Sequence, residues 1–139
     1  MRDVSDEASI SGLAGVLVWT DAERFPAMRD FYVHTLGLQP RSDRTHFVNF
    51  EWGTTRLTIS VHREVSGPTR EPLRLMLNLT VPDIAAAHAR LAAAGVDFSR
   101  APEQEPWGGW IATFADPDGN ALQLFQLSAE NGRAHGAER

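Results

Sequence analysis

The chain has 139 residues, 42% of them apolar, a formal charge of −5 and no cysteine. That length fits one domain with a substantial core. The composition leaves no disulfide framework, thiolate chemistry or cysteine-based zinc site. It offers no basic run for nucleic acid and no apolar run near the ~20 residues that cross a bilayer.

All 13 basic residues are Arg, which excludes Schiff-base chemistry through lysine. The opening MRDVSDEASI is polar, lacks the apolar core of a secretory signal and reads as a tail over 1–11. A cytoplasmic location is the expectation. Leu13 to Trp19 is a continuous apolar run, read as a strand buried on both faces. A helix is expected from about Pro26, with Met28, Phe31, Tyr32, Thr35 and Leu36 on one face and Gly37 as its stop. A short edge strand at Leu38–Arg41 and strands at His46–Glu51 and Arg56–His62, turning at Gly53, complete a first half over 12–63.

The polar stretch 64–72, with Gly67-Pro68 and Glu71-Pro72, reads as a connection. The order then repeats over 73–127. A strand is expected at Leu73–Val81, a helix capped by Asp83 over Ile84–Ala94 and stopped by Gly95, and a short strand at Val96–Ser99. Phe50…Leu57-Thr58 lines up with Phe114…Leu122-Gln123. The unit is strand, helix, three strands, used twice, and residues 128–139 form a polar tail.

The last hairpin carries the most specific signal. Pro106 to Gln126 reads PWGGWIATFADPDGNALQLFQ, two strands around an Asp-Pro-Asp-Gly-Asn turn. Pro117 sets φ, the aspartates bond nearby backbone, and Gly119 permits positive φ. This stretch, with the match from about Leu13 to Leu127, resembles the vicinal oxygen chelate superfamily of glyoxalases, bleomycin-resistance proteins and extradiol dioxygenases. The resemblance implies an α+β fold in which two tandem βαβββ modules form a cupped, eight-stranded mixed sheet, with the ligand inside the cup and the helices outside.

In the metalloenzymes of that superfamily, a His or similar on the first strand of each module and a Glu on the last strand of each hold a metal. Carried over by position, these fall on Ala14, Met76, Thr58 and Gln123. A methyl, a thioether, a hydroxyl and an amide are not ligands for a zinc or iron ion. No metal or other cofactor is expected. Strand alternation gives an inward set of Ala14, Val16 and Val18; Thr58, Ser60 and His62; Met76, Asn78 and Thr80; and Ala121, Gln123 and Phe125. The candidate ligand-binding residues are His62, Asn78, Gln123, Thr58, Ser60 and Met76, with Trp107 or Trp110 closing a wall from the Gly108-Gly109 loop. The plain structural reading of Asn78 and Gln123 is that they bond to each other and stiffen the sheet. Trp19 is expected under a helix, and His34 and His88 toward solvent. Glu103 and Glu105 either rim a pocket and attract a cation or do nothing.

Three functions compete. The first is a metal-free, bleomycin-resistance-like homodimer that sequesters a small aromatic or cationic molecule, a route to antibiotic resistance. The second is an enzyme, a glyoxalase-, dioxygenase- or isomerase-like lyase, using His62 as general base or an atypical metal site built on His62 with Glu51 or His46. The third is a dimeric module with a structural or regulatory partner. Neither nucleic acid nor membrane is an expected partner.

Overall fold

The computed structural model describes residues 7–128. Of the expected tails, 1–6 and 129–139 lie outside the described residues. Strand β1 (Gly15–Thr20) is followed by helix α1 (Phe25–Asp30), which continues as a π-helical turn (Phe31–Thr35). Strands β2 (Ser42–Asp43), β3 (Phe47–Trp52) and β4 (Thr55–Val61) close the first half. A 3₁₀ turn (Pro72–Arg74) leads into β5 (Met76–Thr80), helix α2 (Ile84–Ala93) and strands β6 (Arg100–Gln104), β7 (Trp110–Ala115) and β8 (Ala121–Gln126).

The eight strands form two four-stranded mixed sheets, ordered β1-β4-β3-β2 and β5-β8-β7-β6. In each, the first strand runs parallel to the last and the remaining pairs are antiparallel. The expected βαβββ repeat is therefore present. The register makes it quantitative: Phe50 lies opposite Leu57 and Phe114 opposite Leu122. The eight strands are not one ladder, because β1 and β5 are both edges and do not pair with each other.

Helix ends follow the sequence signals. The Asp83 carboxylate accepts the N–H of Ala86 at 3.1 Å, and Gly37 and Gly95 stand at φ 75° and 96°, where a side chain is strained. Three strands lie elsewhere than expected. Pro40 has no N–H to give, so the first edge is bonded only from Arg41, and β2 is two residues long. Pro72 opens a 3₁₀ turn where the sequence suggested strand, and β5 begins at Met76. The Val96 N–H bonds the Leu91 carbonyl in the helix terminus, so β6 forms later, at Arg100, and shifts register across Pro102.

One apolar cluster joins both halves. Phe25, Met28, Tyr32 and Leu36 from the first helical segment meet Val48, Phe50, Leu57 and Ile59 of one sheet and Ala112, Phe114, Leu122 and Leu124 of the other. Phe31 and Phe114 lie 6.3 Å apart between centroids. The helix-facing sides of both sheets thus supply the core, and the opposite sides stay open.

Polar bonds reinforce the junction. Tyr32 donates to Asp116 Oδ2 at 2.7 Å, Thr20 to Asp118 Oδ2 at 2.6 Å and Arg24 Nε to Asp118 Oδ1 at 2.5 Å. Asp118 and Asp116 are both buried. Turn geometry alone explained these aspartates in the sequence. In the fold they also latch the last hairpin onto the first half, a role that no local signal displays.

Candidate functional site

The open side of each sheet follows from the register. On the first sheet Leu17 lies beside Thr58 and Trp19 beside Ser60. Leu17 is 56% and Trp19 41% exposed, whereas Val16 and Val18 pack toward the core and Thr20 is buried. The expected inward set on β1 is therefore corrected: Val16 and Val18 face the helices, and β1 is an edge strand with one open face rather than a strand buried twice. Trp19, expected under a helix, belongs to the open face.

The first metal-ligand position moves as well. Leu17 pairs with Thr58 as Asn78 pairs with Gln123, so the counterpart of Met76 is Gly15, not Ala14. The two modules differ here because Asp83 caps α2 directly, whereas Asp21 caps a turn, at Arg24 N, that delays α1 to Phe25. Gly15 holds no ligand group, and a Cβ there would lie 2.2 Å from the Arg56 carbonyl oxygen. Among the described residues no group of three or more His, Asp or Glu side chains could hold a metal ion. Glycine, a hydroxyl, a thioether and an amide do not suit a divalent metal.

On the second sheet the expected parity holds. Met76, Asn78 and Thr80 lie beside Ala121, Gln123 and Phe125. Gln123 Nε2 donates to Asn78 Oδ1 at 3.0 Å. Trp107 stacks on Phe125, with centroids 5.6 Å apart and planes at 26°. Trp110 leaves this site: it alternates with Ile111 on β7 and packs against the core cluster. The Gly108-Gly109 pair bends the loop against Trp107 itself, since a Cβ on Gly109 would sit 1.8 Å from that ring.

His62 lies just past β4, its N–H bonded to the Thr20 carbonyl at 3.0 Å. Its Nδ1 accepts the Glu64 N–H at 3.1 Å, and its ring meets Trp19 edge-on at 5.0 Å. With His46, Arg63 and Glu64 it lines a cavity of about 500 Å3. A second cavity of about 660 Å3, lined by Val16, Leu57, Leu77, Leu79 and Leu91 among others, includes Asn78 but not His62. The single chain therefore brings Asn78, Gln123, Met76 and Trp107 to one sheet, and leaves Thr58, Ser60 and His62 on the other.

Charges near the loop are paired. Arg100 reaches Glu103 at 2.9 Å and Glu105 at 2.8 Å. That bond holds Glu103 below the usual carboxylate range and Arg100 above its ordinary value. Both glutamates are thus bonded to one guanidinium, and the cluster of three keeps a net charge of −1. His88, expected toward solvent, is half-buried with its ring 4.5 Å from Phe98. At the latch, burial raises the Asp116 carboxyl despite donors from Tyr32, Asn120 and Asp118. Burial and the nearby Asp116 charge hold the Tyr32 phenol well above its ordinary range.

These features define a class: a tandem βαβββ protein whose open sheet faces are apolar, aromatic and amide-bearing. The family model "Glyoxalase/Bleomycin resistance protein/Dioxygenase superfamily" matches residues 22–124, and the chain belongs to that superfamily. Among solved structures it is similar to TnmS3, an antibiotic binding protein from Streptomyces sp. CB03234, at 30% identity and TM-score 0.67, covering 86% of this chain and 98% of that one. A superfamily member from Sphaerobacter thermophilus DSM 20745 is 26% identical with TM-score 0.65, covering 84% and 98%. A lactoylglutathione lyase from Agrobacterium tumefaciens shares the fold at 17% identity and TM-score 0.65, covering 84% and 94%. No curated protein matches the chain.

Proposed function

We propose that the protein binds and sequesters a small planar aromatic molecule without transforming it, and that it works as a homodimer. The observation that carries this is the content of the four positions that hold metal in the enzymes it resembles: Gly15, Thr58, Met76 and Gln123. They sit on faces that instead offer Leu17 and Trp19 on one sheet and the Trp107–Phe125 stack on the other. The 30% identity to an antibiotic binding protein supports the same reading. Pairing of Glu103 and Glu105 with Arg100 offsets one of their two charges and weakens the reason to favour a cationic ligand. A second copy that lays its first sheet beside the second sheet of this chain would bring His62, Thr58 and Ser60 to the amides and close the cup.

Titration of the purified protein with a panel of planar aromatic antibiotics, read by tryptophan fluorescence and followed by mass analysis of the ligand, tests the reading. The expected result is saturable binding with the ligand recovered unchanged. Stoichiometric metal with ligand turnover would overturn it in favour of an enzyme, and no binding by any member of the panel would overturn it outright.

A further inference from the structure

This inference rests on the reading of the second sheet's open face as a ligand surface and specifies what that surface reads. Asn78 and Gln123 stand side by side in register, joined by one hydrogen bond of 3.0 Å. Two primary amides carry four N–H donors and two carbonyl oxygens between them. Joining them through Gln123 Nε2 and Asn78 Oδ1 uses one N–H and leaves the Asn78 Nδ2 amino group to donate and the Gln123 Oε1 carbonyl to accept, on neighbouring residues of an exposed face. Inverting both amides again leaves one amino group and one carbonyl outside the mutual bond, so the array belongs to the pair and not to one orientation. The mutual bond also restricts both side chains before any ligand arrives, which lowers the ordering cost of binding.

The surroundings set the rest of the ligand. Two residues along β8, about 6.6 Å at the rise of a strand, the same face carries Phe125, covered by Trp107. Met76 and Thr80 flank the amide on β5, and none of the six facing side chains of β5 and β8 is charged. The span from amide pair to aromatic stack matches a fused two-ring system. We propose that this face selects an uncharged planar ring system with an N–H donor and a C=O acceptor side by side on one edge, as in a lactam or imide. That edge makes two parallel hydrogen bonds to the amide pair while the rings lie along Phe125 and Trp107. The Trp residue supplies area at low entropic cost.

The test compares three probes on the full chain by isothermal titration or ligand-observed NMR: quinolin-2-one, which has both groups; N-methylquinolin-2-one, which lacks the donor; and naphthalene, which lacks both. Quinolin-2-one is expected to bind at least tenfold more tightly than either. Asn78→Asp, which puts an acceptor where the donor stood, should cut that preference to less than about threefold, and Gln123→Met should do the same should the first variant not fold. Equal affinity for the three probes, or an undiminished preference in a folded variant, overturns the donor–acceptor inference while leaving aromatic binding intact. Failure of all three to bind counts against the aromatic-binding reading and this inference together.

Discussion

At the scale of single residues, the Asp-Pro-Asp-Gly-Asn turn shows how one short motif serves two purposes. Asp116 accepts the N–H groups of Asp118 and Asn120 at 2.9 and 3.0 Å, which shapes the turn, and also the Tyr32 hydroxyl from 84 residues away. Tyr32→Phe removes that last bond while keeping the ring in the core. It is expected to cost about 1.5–3 kcal/mol, the scale of a buried hydrogen bond with a charged partner, checked by urea denaturation. Asp116 also gives stability a pH signature. Its folded pKa is raised above the ordinary value of 3.8 by burial. Its contribution is therefore full below the unfolded pKa and is lost as pH rises through the folded one. Asp43 runs the opposite way: its bond to Arg29 lowers its pKa, so its contribution is full above the unfolded pKa and is lost as pH falls. Asp116→Asn should flatten the decline on the alkaline side of 3.8, and Asp43→Asn the loss in acid, as read from denaturation midpoints across pH.

At the scale of elements, two close approaches decide where strands and loops can lie. Gly15 opens β1 against β4, and the Arg56 carbonyl leaves no room for a methyl group. Gly15→Ala should lower stability by about 2 kcal/mol or more, as overpacking against backbone does. Gly12→Ala, where nothing lies within 4 Å of the added methyl, should be nearly neutral; thermal melts of the two compare directly. The loop before β7 is fixed in the same way by Gly109, over which the Trp107 ring lies. Gly109→Ala should displace Trp107 from Phe125, seen as a change in near-ultraviolet circular dichroism without loss of helical signal.

At the scale of the whole molecule, the open faces present apolar area to solvent. Leu17 and Trp19 on one sheet and Met76 on the other are exposed although their strands are well formed. Burying such area against a second copy is the common solution, with closed two-fold symmetry. Light scattering at micromolar concentration should give the mass of two chains, and Leu17→Asp should shift it toward one. A monomer mass for the parent chain would count against the paired cup. The latch between Asp118, Thr20 and Arg24 joins the two halves within one chain.

Local physics was enough for much of this protein. Helix stops at Gly37 and Gly95, the Asp83 cap, the final hairpin and the twofold strand–helix–strand repeat all depend on neighbours in sequence, and all were legible there. So was the face of β5 and β8, because Asn78 and Gln123 interrupt apolar strands at alternating positions. The face of β1 was not legible. Seven consecutive small or apolar residues from Leu13 to Trp19 carry no alternation, so only pairing with β4 could assign Leu17 outward and Val18 inward. Trp110 misled for a related reason: a large ring marks burial but not which side of a sheet is buried. The latch aspartates, the Arg100 pairs and the division of the candidate residues between two sheets join groups that the sequence gives no means to place together. Composition and period set the elements, because those preferences act over a few residues. Contacts between residues 40 to 100 positions apart set which faces close into a core and which stay open.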